Sequence, residues 1–146
     1  MKGYPRWTMP AILGVAGGIL ASGLVLVPGT LVTRAEIDLP WMLPSDGRIL
    51  AAALHATTGF ALMLFVGALW SIHMRAGWRK GRRRGSGLTL ALSMLGLALS
   101  AVGLYYFGDE ALAAGAAYVH LGLGLVMTLV FLWHWGTYRL RHRHAG

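Results

Sequence analysis

Apolar residues dominate four long stretches of the chain, and short polar segments separate them. The first stretch runs over about residues 9–32, the second over 49–73, the third over 88–107 and the fourth over 112–138. A helix needs about 20 apolar residues to cross a hydrocarbon core, and each stretch meets that length. The pattern predicts an all-α membrane protein, a four-transmembrane-helix up-down bundle forming one integral membrane domain over residues 1–146. Ser45 or Asp46, Ser86 and Asp109 are placed to cap spans two, three and four. Pro10 falls where a first helical turn tolerates it, and Pro28-Gly29 is expected to kink or end the first helix.

Composition strengthens the membrane reading. Of 146 residues, 56% are hydrophobic and only 12% charged, with a mean hydropathy of +0.60. Cysteine is absent, which excludes disulfides, thiolate metal sites and covalent haem attachment. The first span has a basic start, Lys2 and Arg6, but it is too long for a signal-peptide core and no small-x-small cleavage site follows it, so it is expected to be a retained anchor.

The net charge of +8 invites a nucleic-acid reading, which the position of the charges removes. Eleven of the thirteen basic residues lie before span one, between spans two and three, or after span four. The other connections hold Arg34, Arg48 and all five acids: Glu36, Asp38, Asp46, Asp109 and Glu110. The positive-inside rule then expects both termini in the cytoplasm of a bacterial inner membrane, multi-pass, with spans two and four running parallel. Tryptophans near the span ends read as interfacial anchors. The connection from Arg34 to Arg48 is expected along the membrane surface. "WRKGRRRG" (78–85) serves as a topology signal, with acidic-partner or anionic-lipid docking as the other use of its charge.

Candidate chemistry lies in the histidines. Span two carries His55 and His73, and span four carries His120 and His134. An imidazole in hydrocarbon is costly without a partner. At about 100° per residue, a separation of 18 returns His73 to the face of His55, and a separation of 14 keeps His120 and His134 on one face. Parallel spans put His55 at the depth of His120 and His73 at the depth of His134. Two facing pairs of neutral imidazoles are a ligand set for two b-type haems, one near each membrane face. The rise of about 27 Å on one helix against about 21 Å on the other leaves His73 the poorest match in depth. Gly59 and Gly122 offer room for a macrocycle or close helix packing. Arg48, and Arg75 or Arg79, offer cationic partners to haem propionates. No Asp or Glu lies within a span, which argues against a proton-coupled carrier. Gly14 to Gly18 is a GxxxG match that suits helix packing or a homodimer.

The chain resembles the prokaryotic di-haem cytochromes b of the four-helix membrane type, the cytochrome b five-sixty-one group. That group includes superoxide oxidase and the haem-bearing subunits of formate dehydrogenases and hydrogenases. "HATTG" at His55, "SIHMRAGW" at His73, "LYYFGDE" from Leu104, "VHLGLGL" at His120 and "HWG" at His134 carry the likeness, over roughly residues 10–140. In many members the ligands are spread over more than two helices, whereas here spans two and four hold them all. The resemblance implies two haem b groups ligated by His55/His120 and His73/His134, with a single haem as the lesser case. It also implies electron exchange between a membrane quinone or quinol and a periplasmic or cytoplasmic redox protein, alone or within a larger oxidoreductase complex. Two further readings stand beside it. One is a small redox enzyme such as a superoxide:quinone oxidoreductase, for which two outer arginines among five acids give weak anion steering. The other is a non-redox scaffold or transporter with packing histidines.

Overall fold

The computed structural model describes residues 5–70, 74–79, 81 and 84–143, with side chains up to residue 136 apart from residue 76. Among the described residues the structure is helical with no strand: α1 (Thr8–Ala35), α2 (Ser45–Leu69), α3 (Arg75–Arg79), α4 (Arg84–Tyr106) and α5 (Glu110–Arg143). α1, α2, α4 and the 110–136 part of α5 are long and apolar enough to cross a membrane. The chain is therefore an all-α, multi-pass membrane protein with the four spans that hydropathy predicts.

The chain divides into two compact units, residues 1–76 and 77–146. In the first, α1 packs on α2. A Cβ added at Gly18, Gly23 or Gly29 would meet Thr58, His55 or Arg48 in turn, so the helices run antiparallel. The seam follows alternating three- and four-residue steps. Thr8 and Ile12 of α1, and Ala51 and Leu62 of α2, are buried along it. In the second unit α4 packs on α5, again antiparallel, with Gly96 against Leu123 and Gly103 against Ala116. Small residues line α4 here: Ser93, Ser100 and Gly103 are buried. Ala113 and Ala117 face them from α5 and are almost fully covered. Small seam residues let backbones approach, which is how helices gain packing energy where lipid removes the hydrophobic drive between them. The large apolar side chains point outward instead, with Phe60 71% and Leu64 76% exposed in the first unit, and Leu125 62% in the second.

Local chemistry sets the helix ends, with three departures from expectation. Pro28 neither ends α1 nor stops it at Gly29, since the helix continues to Ala35 and closes on Glu36 in the left-handed region. Leaving the helix at Pro28 would strand several backbone groups in an apolar medium, a larger cost than the one hydrogen bond proline removes. Neither Ser45 nor Asp46 caps α2. Pro44 occupies that position, and Asp46 lies in the first turn, where its charge suits the helix dipole. Ser86 lies inside α4, which begins two residues earlier, and its hydroxyl is used elsewhere. The Asp109 cap is formed: its Oδ1 accepts the Leu112 N–H at 2.9 Å.

The α1–α2 connection exposes Ile37, Leu39, Trp41 and Met42. Trp7 and Trp70 lie at one end of the first unit. Trp78 and Trp133 lie at one end of the second, and Tyr105 and Tyr106 at its other end, all well exposed. This is the placement of aromatic belts.

Candidate functional site

Within the first unit the half-buried His55 occupies a seam position on α2, one turn after Ala51, and so faces α1. Its Nδ1 lies 3.0 Å from the carbonyl oxygen of Ile19 and 3.2 Å from Ser22 Oγ. A carbonyl can only accept, so Nδ1 carries the hydrogen. Ser22 Oγ directs its own hydrogen to the Gly18 carbonyl at 2.7 Å, with that of Ile19 at 3.2 Å. Its lone pairs are then turned to the imidazole. In the neutral ring this fixes the tautomer and leaves the lone pair on Nε2. Gly23 makes the approach possible, since a Cβ there would lie 3.0 Å from His55 Cε1.

The second unit repeats the device. His120 Nδ1 lies 2.9 Å from Ser100 Oγ, and that hydroxyl donates to the Leu97 carbonyl at 3.1 Å. Where that hydroxyl gives its hydrogen to Leu97, it receives the Nδ1 hydrogen of His120 and the ring's lone pair is on Nε2. His134 Nδ1 lies 2.9 Å from Ser86 Oγ, also on α4. His120 and His134 thus share the α4-facing side of α5, as their 14-residue separation predicts, about 21 Å apart along the axis.

The same pairing therefore recurs three times: an imidazole on the second helix of a hairpin, held at Nδ1 by a serine on the first. Metal-bound histidines are commonly held in this way, with one nitrogen anchored by an outer hydrogen bond so that the other is aimed and made more basic. Among the described residues no three His, Asp or Glu side chains gather into a group that could hold a metal ion. Each imidazole offers one nitrogen, so any metal it bound would need most of its ligands from elsewhere.

The remaining candidates are less uniform. His73 lies outside the described residues. Arg48 begins two turns before His55; its Nη1 donates to Met42 Sδ at 3.1 Å, and its stem crosses Gly29 of α1. Arg75 is exposed at the start of α3. A Cβ at Gly59 would make ordinary contact with Ile19, 3.5 Å away, whereas one at Gly122 would meet nothing within 4 Å. The glycines that give room to an imidazole or a helix are instead Gly23, Gly96 and Gly103.

The histidines were legible in the sequence; their serines were not. Ser86 reads as a cap and Ser100 as a small packing residue until α4 and α5 are paired. The available signal was spacing: Ser86 and Ser100 are 14 residues apart, the same interval as His120 and His134. On an antiparallel neighbour this places one serine opposite each imidazole.

The class defined by fold and site is that of an all-α membrane protein of four spans with hydroxyl-anchored intramembrane histidines. Comparison of the chain with protein-family models, curated proteins and solved structures finds no match.

Proposed function

We propose that the chain is a b-type cytochrome of the bacterial inner membrane that carries electrons between a membrane quinol or quinone and a redox partner. The observation that carries this reading is the repeated serine–histidine pairing at Nδ1 of His55, His120 and His134, which at His55 also directs Nδ1–H to a carbonyl and so puts the ring's lone pair on Nε2. The resemblance of "HATTG", "VHLGLGL" and "HWG" to the di-haem cytochromes b supports it independently.

In this reading His55, His120, His73 and His134 would hold two haem b groups through their imidazoles. Bound haem supplies one-electron redox chemistry. The protein's part is to hold and tune the group. Ser22, Ser100 and Ser86 fix the imidazoles and raise their basicity. Arg48 and Arg75 offer positive charge to propionates. The open backbone at Gly122 leaves space on α5, whereas Gly59 of α2 lies in ordinary contact with Ile19. Both termini are cytoplasmic by the charge rule.

A quinol gives up two electrons and two protons on becoming a quinone, so two haems each accept one electron. Anaerobic addition of a soluble quinol to the air-oxidised protein is expected to raise the reduced b-type absorbance within seconds. A protein that dithionite reduces and quinol leaves oxidised contradicts quinol as the donor. The second reading, a scaffold with packing histidines, draws on the same serines, which satisfy each imidazole within its own hairpin. It is the outcome indicated by a preparation without haem.

A further inference from the structure

No acidic residue lies between Asp46 and Asp109, yet six cations fall within ten residues of this interval: Arg75, Arg79, Lys80, Arg82, Arg83 and Arg84. In the second unit the acids Asp109 and Glu110 sit at the far end of α4, whose 23 residues span about 34 Å. That is several Debye lengths at physiological ionic strength. Within the second unit the acids Asp109 and Glu110 are therefore too remote to balance Arg84.

Among the described residues of this cluster, Arg84 is held against an exposed tryptophan. Trp78, 53% exposed, lies in α3. The chain then turns at Gly81, whose φ of +65° is in the left-handed region and whose N–H donates to the Trp78 carbonyl at 3.2 Å. This reversal brings Arg84 back over the indole. Its Nε donates to the same carbonyl at 3.0 Å, and its guanidinium carbon lies 5.5 Å from the ring centroid. With Nε anchored and one face on the ring, the guanidinium is held at the level of the tryptophan, whose neighbour in sequence is the exposed Arg79.

We propose that Trp78 and Arg84, with Arg79, form a binding site for the headgroup of an anionic phospholipid. The phosphate is held by the stacked Arg84 with Arg79 beside it, and the Trp78 ring rests at the acyl boundary. Arginine matches phosphate through paired N–H donors. A lipid is favoured over a soluble anion because the clamp is built on an interfacial aromatic and adjoins two membrane-length helices. The site depends on the membrane reading of the chain and not on its histidines.

The test uses the full chain in detergent, exchanged through lipid-free washes. Retained phospholipid is then measured by mass spectrometry, and thermal unfolding is followed with added phosphatidylglycerol, phosphatidylcholine, inorganic phosphate or polyglutamate. Wild type is expected to retain phosphatidylglycerol and to be stabilised by it alone. Arg84→Gln should lose about fivefold in retention, the worth of one basic residue at an anionic surface, and Trp78→Ala a similar amount. Arg6→Gln, near the N-terminus, serves as the control and retains lipid as wild type does. Equal retention by all four proteins, or equal stabilisation by phosphatidylcholine, would overturn the site. Stabilisation by inorganic phosphate alone would assign it to a soluble anion, and by polyglutamate alone to an acidic protein partner; either overturns the lipid proposal.

Discussion

Replacing His120 with Ala removes one b-type centre and leaves the other, so haem per chain falls by half while the protein stays folded. The expectation rests on the geometry around Ser100. That hydroxyl lies 2.9 Å from His120 Nδ1 and within reach of the Leu97 carbonyl, so the ring is aimed by α4, and in the proposed reading Nδ1 carries the hydrogen and Nε2 the lone pair. Ser100→Ala separates ligation from packing. It deletes the acceptor and keeps the imidazole. Loss of such an outer partner typically costs about 10- to 100-fold in metal affinity. A less basic imidazole also favours ferrous over ferric iron. Ser100→Ala is therefore expected to keep its haem at saturating haem, to lose it faster on dilution, and to show a raised midpoint potential for one centre only. If His120 merely packs, both variants change thermal stability and neither changes haem content or potential.

The second large effect is at Gly103. A Cβ there would lie 2.8 Å from Phe107 Cε2 and 3.0 Å from Ala116 Cβ. The phenyl ring can turn aside. The Ala116 methyl is fixed to the α5 backbone and cannot, so a large side chain pushes the hairpin apart where Ala113 and Ala117 are almost fully covered. Gly103→Leu is expected to destabilise by about 1–3 kcal/mol, the usual cost of overpacking. Gly115→Leu on α5, where a Cβ meets nothing within 4 Å, is expected to be neutral or slightly stabilising, because leucine is the better helix former by somewhat under 1 kcal/mol. Thermal or denaturant unfolding in detergent reads the pair. Equal behaviour would mean that α4 and α5 do not approach closely at Gly103.

The four spans were legible because membrane insertion depends on length and mean polarity, which sequence states directly. Where a span stops was less legible. The expected end of span two at His73 lies outside the described residues, while α4 begins at Arg84 and α5 at Glu110, four and two residues before their apolar runs. Of the two outcomes expected at Pro28, an end of the helix is excluded, because in hydrocarbon a broken backbone finds no solvent partners and continuing the helix costs less. The histidines stood out as polar groups in apolar runs. The serines did not, because a hydroxyl can satisfy itself on its own helix, as Ser22 does at Gly18. Only the antiparallel partner shows that Ser22, Ser86 and Ser100 each meet an imidazole. The sequence could rank Gly59 and Gly122 as neighbours of histidines but could not see that Gly23, on another helix, is the glycine in contact with His55.

The central claim is that imidazoles anchored through Nδ1 hold iron porphyrin through Nε2. The dithionite-reduced minus air-oxidised visible spectrum of the purified chain, expressed with haem available and quantified as the pyridine haemochrome, tests it most directly. The account predicts sharp b-type bands at two haems per chain, one of them lost in His120→Ala. A folded, helical preparation that is colourless and takes up no added haem would contradict it.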